Sequence, residues 1–173
     1  GVFFEDINFA ADGGLYAEMI KNRSFEFEAP LMGWEQPNSD KHSFNTTSGI
    51  ATTVKALENK TNPSFCRVLI NDAKGFSIIN EGFRGMGIKK DAKYNLSLKA
   101  ANHNGAIKKI IIQFIYKNKK VLGETSIVPT SSDWQTYTAQ FTATQTEAKA
   151  QLKITFEGTG TIELTTTNTL PAA

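Results

Sequence analysis

The stretch Ala148-Lys149-Ala150-Gln151-Leu152-Lys153-Ile154-Thr155-Phe156 puts an apolar residue at every second position and a polar one between. Successive side chains of an extended strand point to opposite faces, so this pattern encodes a strand with one face in a core and one in water. No helix can bury it on one side. Tyr94-Asn95-Leu96-Ser97-Leu98-Lys99-Ala100 repeats the alternation, and Ile110-Ile111-Ile112-Gln113-Phe114-Ile115-Tyr116 is apolar on both faces, as a central strand requires. Lys117-Asn118-Lys119-Lys120 then makes a turn into a further strand over 121–128. Strands are also expected near 50–56, 64–70, 76–80, 134–141 and 161–166. Short strands divided by Gly, Asn, Asp and Lys turns, with almost no helical period, predict an all-β chain: a jelly-roll β-sandwich of two antiparallel sheets.

The first 30 residues break this pattern. Phe3-Phe4-Glu5-Asp6-Ile7-Asn8 suits a short strand; Asp12-Gly13-Gly14 interrupts it; Leu15 with Met19 and Tyr16 with Ile20 have the spacing of a brief helix. A short N-terminal strand/helix segment is therefore expected before the sandwich. Gly1 followed by Val2-Phe3-Phe4 is expected to be internal to a longer protein. Residues 37–48, opened by Pro37, read as a polar loop.

The 173 residues carry 19 basic and 17 acidic side chains, a formal charge of +2. Nucleic-acid binders gather Lys and Arg on one face, and so small a bias predicts no nucleic-acid partner. With two histidines and one cysteine, no Cys/His zinc set can be assembled, and Cys66 has no disulfide partner within the chain. No apolar stretch approaches about 20 residues, so no membrane-spanning helix is expected.

Catalytic constellations are thin. Asp40, His42 and Ser43 share one polar loop without a glycine-flanked nucleophile elbow, and His103 reads as a turn residue in Ala101-Asn102-His103-Asn104-Gly105. Gly82-Phe83-Arg84-Gly85-Met86-Gly87 lacks the strand–turn–helix setting of a dinucleotide loop and reads as an irregular strand or bulge. Glu157 and Glu163 flank the turn at 158–160 and could face each other across a hairpin, where they would be solvated rather than held in the cleft that glycosidase chemistry needs. No catalytic residue is assigned. Aromatic rings are the remaining handle, because a flat ring matches the apolar face of a sugar. The candidates are Trp34, Phe76, Phe83, Tyr94, Phe114, Tyr116, Trp134 and Tyr137, each of which also suits a sandwich core. Of these, Trp34, Phe83, Tyr116 and Tyr137 are the candidate glycan-binding aromatics, and Trp134, at the entry to a strand, reads as structural.

Gly1-Val2-Phe3-Phe4-Glu5-Asp6-Ile7-Asn8, with Asp12-Gly13-Gly14-Leu15-Tyr16-Ala17-Glu18 and Asn22-Arg23-Ser24-Phe25-Glu26, closely resembles the N-terminus of glycoside hydrolase family 51 α-L-arabinofuranosidases. Asn80-Glu81-Gly82-Phe83-Arg84-Gly85-Met86-Gly87-Ile88, Tyr94-Asn95-Leu96-Ser97 and the run from Ile162 to Pro171 resemble a sandwich similar to carbohydrate-binding module families 4 and 9. The resemblance implies that residues 1–21 begin a catalytic (β/α)8 barrel whose remainder, with the acid/base and nucleophile glutamates, lies outside this chain, and that the sandwich spans 22–171. It implies that Glu5 contacts the arabinofuranose in the intact enzyme. It further implies retaining hydrolysis of terminal arabinofuranosyl groups from an arabinose-containing polysaccharide or oligosaccharide, outside the cytoplasm in a secreted or periplasmic setting. Related modules use an Asp, with a Glu like Glu26, for a structural calcium; here Thr165 stands at the Asp position, so no metal or cofactor is expected. The partners implied are the glycan and the missing barrel. Without the barrel, the apolar side chains of residues 2–20 are expected to fold onto the sandwich or to exchange with a second copy as a dimer. Two roles remain open for the sandwich itself: glycan binding, weak and insensitive to salt given the near-zero net charge, or packing alone. Two exposed coplanar rings on one sheet face would distinguish them.

Overall fold

The computed structural model describes residues 19, 31, 34–35, 49–55, 64–72, 75–82, 85–105, 107–117 and 120–171. Eleven strands follow in chain order: β1 (Trp34–Glu35), β2 (Gly49–Lys55), β3 (Ser64–Ile70), β4 (Phe76–Asn80), β5 (Met86–Ile88), β6 (Lys93–Asn102), β7 (Ile107–Tyr116), β8 (Lys120–Ile127), β9 (Gln135–Thr142), β10 (Glu147–Gly158) and β11 (Gly160–Pro171). A 3-10 turn, His103–Gly105, joins β6 to β7. One sheet runs β1-β4-β10-β7-β8, with β5 also pairing with β10; the other runs β2-β3-β11-β6-β9. Every pairing is antiparallel.

The alternation seen in the sequence is realised in the packing. Leu152, Ile154 and Phe156 of β10 and Leu96 and Leu98 of β6 turn into one core shared by the sheets. At its centre Tyr94, Phe114 and Phe141 meet, with ring centroids 5.2 Å apart for Tyr94–Phe114 and 4.6 Å for Phe114–Phe141. The doubly apolar β7 is central, between β10 and β8, and buries Ile115 on the side opposite Phe114. The irregular stretch around Gly85 leads into β5, whose pairing with β10 shifts register between Glu147 and Ala150.

The relation between β10 and β11 differs from the sequence reading, and β1 and β5 are not among the expected strands. β10 and β11 are not a hairpin: they lie in different sheets, joined at Gly158 (φ 106°) and Gly160 (φ 141°), a backbone path that side-chain-bearing residues rarely take. Glu157 and Glu163 therefore do not face each other across a ladder. Of the N-terminal segment, Met19 belongs to the same buried cluster as the sandwich core, 6% exposed. The rest of residues 1–21, the polar loop at 37–48 and its Asp40, His42 and Ser43 lie outside the described residues.

Candidate functional site on the five-stranded sheet

In β3 the residues Ser64, Cys66, Val68 and Ile70 are buried, so Phe65, Arg67 and Leu69 point to the outer face. Register carries this face across the sheet. Arg67 stands opposite Thr52 of β2 and Glu163 of β11, and Glu163 stands opposite Ala101 of β6. One step along, Thr165 of β11 stands opposite Lys99 of β6, which in turn faces Thr136 of β9.

Trp134, just before β9, is 45% exposed, and its ring meets that of Phe65 edge-to-face, centroids 5.4 Å apart and planes at 73°. Strands β11 and β6 separate β3 from β9, so the two side chains reach toward each other over the intervening strands. That bridge accounts for outer-face residues of the middle strands being buried: Ala101 at 2%, Thr165 at 5% and Glu163 at 7%. Next to it, the Arg67 guanidinium lies 5.9 Å from the Phe65 centroid, within cation–π range. Arg67 Nη2 donates to Glu163 Oε2 at 3.2 Å, and His103 Nε2 engages Glu163 Oε1. Both carboxylate oxygens are thereby occupied, while the Arg67 and His103 side chains remain 48% and 43% exposed. Trp134, Phe65, Arg67, Glu163 and His103 form one continuous strip.

The described residues among the candidate glycan-binding aromatics lie elsewhere. Trp34 is 3% exposed and part of the core cluster, so its ring is not presented to a sugar: the pairing of β1 with β4 draws it into the sandwich. Tyr137 is half-buried against the core from the inner face of β9, and its hydroxyl accepts from the Thr130 and Ser131 N–H groups at 3.2 and 3.3 Å. Tyr116 closes β7 in the other sheet, packed on the core beneath the Lys117 ammonium, 5.2 Å from its centroid. Phe83 and Glu5 lie outside the described residues. Phe76, Tyr94 and Phe114 are core residues. Trp134, read as structural, is 45% exposed, and Phe65 carries no distinguishing signal in the sequence because β3 is apolar on both faces. Glu163 and His103, expected to be a solvated acid and a turn residue, are joined. Among the described residues no two exposed rings lie coplanar on one face, and no three His, Cys, Asp or Glu side chains form a metal-holding group.

No protein-family model matches the chain. It is 29% identical over 162 residues to an extracellular exo-α-L-arabinofuranosidase of Streptomyces chartreusis, covering 89% of this chain and 18% of that enzyme. It is 26% identical over 182 residues to α-L-arabinofuranosidase 1 of Arabidopsis thaliana, covering 99% of this chain and 26% of that protein. The chain thus spans about a fifth to a quarter of the curated relatives it matches. Among solved structures, an arabinose-bound α-L-arabinofuranosidase of glycoside hydrolase family 51 superposes with a TM-score of 0.73 at 20% identity, over 99% of this chain and 29% of that one. A Clostridium thermocellum xylanase containing a family 22 carbohydrate-binding module, complexed with xylohexaose, superposes with a TM-score of 0.59 at 13% identity, over 91% of this chain and 28% of that one. The resemblance to arabinofuranosidases read from the sequence recurs in both comparisons, the likeness to a carbohydrate-binding module is one of fold, and the fold is the β-sandwich expected.

Proposed function

We propose that this chain is the non-catalytic accessory part of an α-L-arabinofuranosidase, the beginning of its (β/α)8 barrel in residues 1–21 followed by a sandwich that packs against that barrel. The observation that carries this reading is coverage: the similarity to arabinofuranosidases extends over 89% and 99% of the chain, through the whole sandwich and not one motif. In the intact enzyme Glu5 contacts the arabinofuranose, and the two carboxylates of double displacement come from the barrel. Among the described residues the sandwich forms no coplanar aromatic platform, which suits packing on a catalytic domain better than adhesion to a flat polysaccharide surface. The extracellular relative supports secretion of the intact enzyme, and among the described residues no helix is long and apolar enough to cross a membrane.

The test is an assay with a chromogenic α-L-arabinofuranoside. The isolated chain should give no turnover above buffer, whereas the full polypeptide encoded with it should release arabinose and lose at least about tenfold in kcat/KM on Glu5→Gln. Turnover by the isolated chain that disappears in Glu163→Gln, or an intact protein inert toward arabinofuranosides, overturns the reading.

A further inference from the structure

The near-neutral charge of the whole chain conceals an uneven distribution. On the outer face of the five-stranded sheet, the described residues that alternate outward include Arg67, Lys93 and Lys99 against one acid, Glu163. That acid is 7% exposed and has both oxygens engaged, one by Arg67 and one by His103. Glu163 thus acts as a clamp: it holds two donor heads at the surface and presents almost no negative charge of its own. Arg67 has five N–H donors in a planar fork, of which the Nη2 contact uses one. From strand spacing and rise, Lys99 lies roughly 12 Å from Arg67, two strands over and one register step along. The exposed Trp134 ring, braced edge-on by Phe65, stands beside them, and the exposed hydroxyls of Thr52, Thr136 and Thr138 surround the strip.

We propose that this face is a binding site for an acidic oligosaccharide, with a sugar ring stacked on Trp134 and uronate carboxylates received by the Arg67 guanidinium and the Lys99 ammonium. Each component has a physical reason. An indole face complements the apolar face of a pyranose or furanose ring. A guanidinium fork matches a carboxylate with two parallel hydrogen bonds, stronger than neutral ones. Two cations separated by the span of a short oligosaccharide select a chain with carboxylates along it, and the threonines meet hydroxyls. A single-stranded nucleic acid would also stack on aromatic rings, but it needs a groove of cations tracking each phosphate. Here three cations are spread over a face rich in threonine. The inference goes beyond the enzyme reading above and stands independently of it.

Calorimetric titration of the full chain tests it with four probes: oligogalacturonate, a xylo-oligosaccharide bearing glucuronate, neutral arabino-oligosaccharide and single-stranded oligothymidylate. Binding of one or both uronate probes, at least about tenfold tighter than the neutral one and weakening as salt rises, is expected. The two uronate arms distinguish a pectic from a xylan source. Lys99→Gln should reduce affinity about tenfold with the melting temperature unchanged, and Trp134→Ala should reduce the affinity of the folded protein as much while lowering the melting temperature, because it uncovers Ala101, Thr165 and Glu163. Arg67→Gln should reduce affinity too, and a folded Arg67→Lys protein should recover only part of the loss. Equal affinity for acidic and neutral sugars, tighter binding of oligothymidylate, no binding of any probe, or uronate binding unaffected by Trp134→Ala and Lys99→Gln would each overturn the proposal. None of these outcomes bears on arabinose release by the intact enzyme.

Discussion

Glu163 and Arg67 stand directly opposite each other on neighbouring antiparallel strands, Oε2 to Nη2 at 3.2 Å, although 96 residues separate them in the chain. The remaining carboxylate oxygen is taken by His103, 60 residues away. Glu163 is nearly buried while its partners reach water, so the pair is worth less than a fully buried one yet more than a surface contact.

Glu163→Gln keeps the shape and removes the charge. It should cost about 1 kcal/mol in urea unfolding, whereas Glu157→Gln, at an exposed site of the other sheet, should stay within about 0.5 kcal/mol. Equal effects of the two changes would show that the clamp contributes nothing.

Gly49 begins β2 where a Cβ would come 2.7 Å from the Leu69 carbonyl oxygen and 2.8 Å from the Phe76 ring. The carbonyl is backbone in the ladder and cannot swing away. Gly49→Ala should therefore destabilise by about 1–3 kcal/mol despite the better strand propensity of alanine; a neutral change in the denaturant midpoint would mean that β2 moves freely relative to β3.

Burial pushes the Cys66 thiol from 9.0 up to about 12, with a hydrogen bond from the Thr52 backbone opposing the shift. Well below pH 9 the thiol is protonated in folded and unfolded chains alike and stability is independent of it. Between 9.0 and about 12 the unfolded chain releases the proton and the folded one retains it, so stability falls as pH rises, by roughly 1.4 kcal/mol per pH unit. Burial also raises the Tyr94 hydroxyl and adds loss in the same direction, opposed by the Lys89 N–H that it accepts. Unfolding measured against pH should show a shallower alkaline decline in Cys66→Ala, and the native thiol should resist thiol reagents until the chain unfolds.

Met19 is buried with the core, and its carbonyl lies 3.1 Å from where a Cβ on Gly82 would sit. Met19→Ala, or a chain starting at Asn22, should lower sandwich stability by about 2 kcal/mol or more. Light scattering on the two lengths gives the arrangement: a dimer that becomes monomeric in the shorter chain marks exchange of the segment between copies. Unchanged stability on cutting would support a boundary at 21/22.

The strand positions were legible because burial on one face imposes a period of two wherever the outer face meets water. β6, β10 and β7 announce themselves, and their ends in the structure differ from the sequence reading by a few residues. β3 shows where that signal stops. Ser64, Cys66, Val68 and Ile70 alternate with Phe65, Arg67 and Leu69, and either set contains enough apolar residues to face a core. Trp34 and Trp134 are chemically identical, and only their neighbours make one a core residue and the other an exposed ring.

Residue order by itself determined that the chain is all-β, where nine of the eleven described strands lie, that it resembles arabinofuranosidases and that it lacks a Cys/His zinc ligand set, because these depend on local periodicity and composition. Tertiary structure decided the assignment of β10 and β11 to different sheets, the conversion of Glu163 from an expected solvated acid into a clamp, and the gathering of Arg67, Lys99 and Trp134 on one face. Those outcomes rest on contacts between residues far apart in sequence, whose energies depend on register and on which sheet each strand joins. No local pattern carries that information, since a strand's alternation is the same whichever neighbour completes its ladder.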